Sequence, residues 1–239
     1  MTPRVVSLVP SATETLVALG VTPVACTRFC EQPGVPQVGG TKDPNVAGIA
    51  LLKPDLVVVN DEENRLEDVD RLRRLGLPVH EISPRSVTQV GPAVVALAKA
   101  VGAEPPEPFT EWAAWMGEQH HLGRGQPRRV FVPVWRRPWM TLAGDTYGSS
   151  LLHLFGYRNV FTGHGTRYPM VTLAEVATRK PQVVLLPSEP YPFAERHVPE
   201  VEKAIPGTPV MLVDGRDLFW WGIRTPEAIN RLAAVLRAP

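Results

Sequence analysis

One pattern of strands and helices is written twice in this chain, and that repetition limits the fold more than any other feature. RVVSLVP at residues 4–10 is answered by RVFVPVW at 129–135, and TETLVALGVTPVA at 13–25 by GSSLLHLFGYRNVF at 148–161. KPDLVVVNDE at 53–62 returns as KPQVVLLPSE at 180–189, and VHEISP at 79–84 as VMLVDG at 210–215. Offsets of about 125 to 136 residues keep the same order through both halves. A spacing that long means two copies of one domain plan, since solenoid repeats run to only roughly 20–50 residues.

Within the first copy, the opening apolar run reads as a buried strand, and the residues after it carry apolar positions at helical spacing closed by Gly20. Ser11 and Glu14 have the spacing of a capping box, which would satisfy the first free N–H groups of that helix. Apolar runs at 55–59 and 77–82 alternate with helical patterns at 46–52 and 66–75. Strands separated by helices require crossovers and hence parallel sheets. The fold class expected is α/β: two similar lobes with parallel sheets, spanning 1–85 and 129–239, joined by a helical connector at 86–128 that contains no strand. The ligand position expected is a cleft between the lobes, where the C-terminal ends of the strands converge.

Composition excludes whole classes of partner. With 25 Lys plus Arg against 24 Asp plus Glu, the net charge is +1, so the chain lacks the concentrated basic surface that nucleic acid demands. Nucleic acid is therefore not expected as a partner, and a monomer is. No apolar run reaches the ~18–20 residues of a membrane span. The first strand begins within a few residues of Met1, leaving no room for a signal peptide. The expected location is the cytoplasm, or the periplasm or cell surface for a chain whose leader has been removed.

Enzyme signatures are missing: the chain has no GxSxG, GxxxxGK[ST], GxGxxG or HExxH. His120 and His121 are adjacent and would point about 100° apart on a helix, so they cannot close on one ion. His153 and His164 read as solvated or capping residues, and no metal site or catalytic residue is expected. Cys26 and Cys30, spaced C-x3-C, read as two half-buried thiols at the edge of the first lobe. Aromatic residues carry more information. Trp135, Trp139, Trp220 and Trp221 are expected at strand ends of the second lobe, with Tyr147, Tyr168 and Tyr191 in the loops beside them, where ligands meet an α/β sheet. Trp139 and Trp221 are expected to stack on the ligand, whereas Trp112 and Trp115, three apart, should pack the connector helix. Arg136 and Arg137 could grip an anionic group, with Glu189 near the same edge. From the first lobe, Arg28, Thr41, Lys42, Asn60 and Glu62 would form the facing wall.

PRVVSLVPSATETLVALG, GGTKDPNVAGIALLKPDLVVV, the helical connector and the restart RRVFVPVW with KPQVVLLPSEPYPF together resemble the class III solute-binding proteins of ABC importers. The resemblance spans nearly the whole chain and is greatest to the cobalamin-binding branch. It implies binding without catalysis, with a corrinoid as cargo and no covalently bound cofactor. Haem or a ferric siderophore is the alternative cargo, and a cytosolic corrinoid-handling factor or enzyme on the same fold is the alternative role. It also implies an importer permease as partner, met through one acidic residue on each lobe, for which the nearest candidates are Glu67 and Glu202.

Overall fold

A computed structural model describes residues 2–119, 122–123 and 125–236, so His120 and His121 lie outside the described residues. The chain forms two compact units. The first comprises Met1–Pro84, Thr88–Ala113 and Trp221–Arg224; the second comprises Arg85–Val87, Ala114–Trp220 and Thr225–Pro239. The 86–128 segment is thus shared between the two units.

In the first unit the elements are β1 (Val5–Ser7), α1 (Pro10–Ala18), β2 (Ala25–Cys26), α2 (Val46–Leu51), β3 (Leu56–Val59), α3 (Leu66–Arg74), β4 (Val79–Glu81) and α4 (Val90–Val101). The four strands form an all-parallel sheet in the order β2-β1-β3-β4. Side chains alternate across it. Val6, Val57 and Val59 join Ile49 of α2 and Leu72 of α3 in one apolar cluster, while Val58 between them is buried on the other face.

α1 begins differently from the capping box expected of Ser11 and Glu14. Pro10 occupies its first turn and the N-cap is Val9, in extended conformation with no side-chain cap. Proline's fixed φ starts the helix, and its missing N–H removes one of the donors a cap would have served. Glu14 is thereby free for another partner. The strap Trp221–Arg224 supplies it: Arg224 Nε and Nη2 donate to the two Glu14 carboxylate oxygens at 2.7 and 2.8 Å, and Ile223 N donates to Thr15 Oγ1 at 3.2 Å. Trp112, at the start of α5 (Trp112–Glu118), is buried and stacks on Phe109 at 5.2 Å with the rings 6° from parallel. It lies against Gly91 of α4, where a Cβ would collide with the indole.

The second unit repeats the plan. Its main strands are β5 (Arg128–Phe131), β8 (Tyr157–Asn159), β9 (Val183–Pro187) and β10 (Val210–Val213), all parallel in the order β10-β9-β5-β8. Numbered by appearance, both sheets read 2-1-3-4, so the sequence repeat is a repeat of topology. It reaches the backbone as well: the Lys-Pro pair before the third strand holds its lysine at positive φ in each copy, 46° at Lys53 and 50° at Lys180. Helices α6 (Tyr147–Leu154), α7 (Leu173–Thr178), α8 (Val198–Ala204), α9 (Gly215–Phe219) and α10 (Thr225–Leu236) complete the unit.

The copies diverge where the first leads straight into α1. RVFVPVW is not one strand. It breaks after β5, and Pro133 opens β6 (Pro133–Trp135), which pairs with β7 (Met140–Thr141) as an antiparallel hairpin. A proline cannot donate to a sheet ladder, so the chain leaves the parallel sheet there.

Candidate functional site

In the first unit, three loops leave the C-terminal ends of the strands and are tied together by one side chain. Asn64 Nδ2 donates to Leu8 O after β1 at 3.2 Å and to Thr41 O at 2.9 Å, while Asn64 Oδ1 accepts from Asn60 N at 2.9 Å. Asn60 closes the turn after β3. Its Oδ1 accepts from the backbone N of Glu62 and Glu63 at 2.7 and 3.1 Å, and its Nδ2 donates to Ile82 O at 2.9 Å. A buried amide with every polar atom so engaged positions a loop. Asn60, expected on the ligand wall, here holds the turn after β3.

Around this frame sit the other residues expected on the first wall. Lys42 is exposed and its Nζ donates to Glu62 O; Thr41 and Glu62 are half-buried. Arg28 holds the Asp43 carboxylate through two bonds at 3.1 and 3.2 Å and lies over the exposed Phe29 ring at 4.8 Å. The Arg28 hydrogen bond draws the Asp43 carboxyl below the usual carboxylate range. Beneath the same turn, Cys26 and Cys30 are fully buried free thiols, not half-buried ones. Burial, with Cys30 beside it, pushes the Cys26 thiol up to about 12.

In the second unit, the hairpin and the 188–194 loop after β9 together build an aromatic platform. Trp135 at the end of β6 meets Tyr191 edge-on at 5.5 Å, Tyr191 tilts against Phe193 at 4.7 Å, and Phe193 lies parallel to Trp139 at 5.8 Å. His197 props the platform from below. It contacts both Tyr191 and Phe193 edge-on at 5.5 Å, and its Nδ1 accepts from Ala194 N at 3.0 Å, which fixes the loop and requires an unprotonated Nδ1. Burial first, then Arg196 and Arg136, holds the His197 pKa below the ordinary imidazole range.

Several of the expected contact residues already have partners within the fold. Arg136 is bound to Glu200 at 2.6 and 2.8 Å, so its guanidinium secures the hairpin to α8. Glu189 accepts from Arg216 Nε at 3.0 Å, and that guanidinium lies 5.2 Å from the Trp220 ring. Tyr147 is not in a loop: it opens α6, buried, with its hydroxyl 3.2 Å from Thr225 Oγ1. Trp221 ends no strand, because β10 is followed by α9; it is only 5% exposed and belongs to the first unit. Trp139 is half-buried and packs on the second unit's core. Tyr168, half-buried, sits on a segment pinned along β7 by Thr141 N to Pro169 O at 3.1 Å and Ala143 N to Arg167 O at 2.8 Å. Trp135, at 44%, is the exposed tryptophan of the platform. Phe29, Phe193 and His197 were missed as candidates; the spacing of two between Tyr191 and Phe193 in SEPYPF was the available signal. Among the described residues no cluster of three or more His, Cys, Asp or Glu side chains could hold a metal ion.

No family model matches the chain. The vitamin B12-binding protein of Yersinia pestis (strain Pestoides F) is 31% identical over 195 residues, which are 77% of this chain and 69% of that protein. The chain belongs to the vitamin B12-binding protein family. The same protein from Yersinia pseudotuberculosis serotype O:3 (strain YPIII) matches to the same extent. Among solved structures, the periplasmic vitamin B12 binding protein BtuF of Vibrio cholerae superposes with a TM-score of 0.82 at 23% identity, covering 99% of this chain and 97% of that one. The periplasmic heme-binding protein BhuT in complex with two hemes gives 0.79 at 21% identity, covering 99% and 98%. The two-lobed α/β fold of solute-binding proteins is therefore this chain's fold, as the resemblance implied.

Proposed function

We propose that this chain is a non-catalytic receptor that captures a cobalamin-like corrinoid for an ABC-type importer. The observation that carries the reading is the platform Trp135–Tyr191–Phe193–Trp139 at the strand ends of the second unit, in a chain of the vitamin B12-binding protein family. A large ring system gains affinity on aromatic faces without any bond being made. The loops welded by Asn64 carry a polar edge with Arg28, Lys42 and Glu62, suited to the amide side chains of a corrinoid. Glu67 and Glu202 are both exposed, on α3 and α8, which supports their proposed role in meeting permease arginines. The periplasmic location given for the structural relatives supports action outside the cytoplasm, and among the described residues no helix is long and apolar enough to cross a membrane.

Titrating cyanocobalamin, haemin and a ferric siderophore against tryptophan fluorescence tests the reading. Cyanocobalamin binding at least tenfold tighter than the other two upholds it. Preference for haemin transfers the site to the second reading, a haem receptor, which the likeness to BhuT favours. No saturable binding by any of the three refutes a metal-chelate receptor.

A further inference from the structure

The second unit carries a cavity of about 550 Å³ away from the aromatic platform, beside the edge strand β8 and the start of β5. Its wall includes Arg129, Arg158, Arg179, Asn159 and Thr162, and no carboxylate. Arg129 and Arg158 are register partners on neighbouring parallel strands. Strands lie about 4.8 Å apart, so the fold sets two cations side by side at a cost that nothing in the sheet requires.

The guanidiniums are also positioned. Arg129 Nε donates to Lys180 O at 2.8 Å. Arg179 Nη1 donates to Val160 O at 3.1 Å and Nη2 to Glu175 Oε1 at 3.1 Å, with the group 4.1 Å from the Phe161 ring centre. Anchored in this way, Arg129 and Arg179 still have N–H groups to offer a ligand, since each guanidinium has five. Arg158 is exposed, and no described residue accepts a hydrogen bond from its guanidinium. Among the described residues, the carboxylate bonded to these arginines is that of Glu175 on Arg179.

We propose that this cavity is a second binding site, for a phosphate group. A phosphate accepts bidentate bonds from several guanidiniums at once and supplies the negative charge that relieves the Arg129–Arg158 pairing. The cavity's size is within the range of small-ligand sites, about 300–1,000 Å³. This site is separate from corrinoid capture and does not rest on it. The phosphate could be free in solution or be the headgroup of an anionic phospholipid, and the two sources are told apart by experiment.

The intact chain and its Arg158→Gln variant are titrated calorimetrically with pyrophosphate at constant ionic strength. In parallel, both are sedimented with phosphatidylglycerol vesicles and with neutral phosphatidylcholine vesicles. Because Arg158 anchors nothing, the variant should melt with the wild type and bind cyanocobalamin equally. Expected is saturable pyrophosphate binding, weakened about tenfold or more in Arg158→Gln, the loss of one charge-assisted contact. Binding that depends on Arg158 only in the phosphatidylglycerol arm upholds the site and assigns the phosphate to lipid. Should neither arm show binding that depends on Arg158, the site is wrong, whatever cyanocobalamin does.

Discussion

Trp135→Ala tests most sharply whether the platform holds cargo. The side chain exposes 44% of its surface, which for an aromatic of up to about 250 Å² leaves roughly 110 Å² uncovered. A flat ligand covering half of that gains about 1.4 kcal/mol at ~25 cal/mol per Å². Ring stacking adds about 0.5–1.5 kcal/mol. Truncation should therefore weaken cyanocobalamin by about 2–3 kcal/mol, roughly 30- to 140-fold. The fold should hardly notice, because the ring's neighbour in the platform is Tyr191, met edge-on, and Tyr191 keeps Phe193 and His197. The assay is a calorimetric titration and a thermal melt on the same preparation. If the variant binds within twofold of wild type and melts with it, Trp135 does not touch the ligand and the platform is only packing.

Trp139→Ala should cost stability as well. Full burial of such a ring is worth about 3–5 kcal/mol, and Trp139 is half-buried on Phe193, so a loss near 2 kcal/mol and a melting point lower by about 4–8 °C is expected; an unchanged melt refutes its core role. Asn64→Ala removes the tie between three loops and leaves backbone groups unpaired, at about 1–3 kcal/mol each where buried; differential scanning calorimetry should show the loss, and amide exchange should quicken at Asn60, whose N–H loses its acceptor. Unfolded imidazole titrates near pH 6.5, whereas folded His197 is held lower. The unfolded state thus takes up the proton first, and the stability His197 contributes is complete above about pH 6.5 and drains away as pH falls towards its folded pKa. Chemical denaturation from pH 7.5 to 5 should show a flatter profile in His197→Asn, and parallel profiles would exonerate the histidine.

The strand and helix plan was legible because parallel strands buried on both faces leave apolar runs, and those runs came twice. The hairpin β6–β7 was not, since Pro133 lies inside an uninterrupted apolar run and only its missing N–H marks the break. The capping box failed for a related reason: Pro10 began the helix one position before Ser11 could cap it. Trp221 misled because TrpTrpGly after a charged stretch looks like a strand end, while the distant Glu14 that claims its neighbour Arg224 is invisible to local pattern. At the site, the place of Trp135 at a strand end and of Tyr191 in a strand-end loop was readable, whereas Tyr147 opens a helix. Which charged groups were already engaged was not, since Arg136 with Glu200 and Arg28 with Asp43 are pairs made by folding.

The strap Trp221–Arg224 also sets a timetable. As the chain leaves the ribosome, all four strands of the first unit have appeared by Glu81, yet the arginine that completes α1 is residue 224 of 239. Until then the Glu14 carboxylate waits for a partner 210 residues away. The first lobe is therefore closed by an arginine that follows all four main strands of the second.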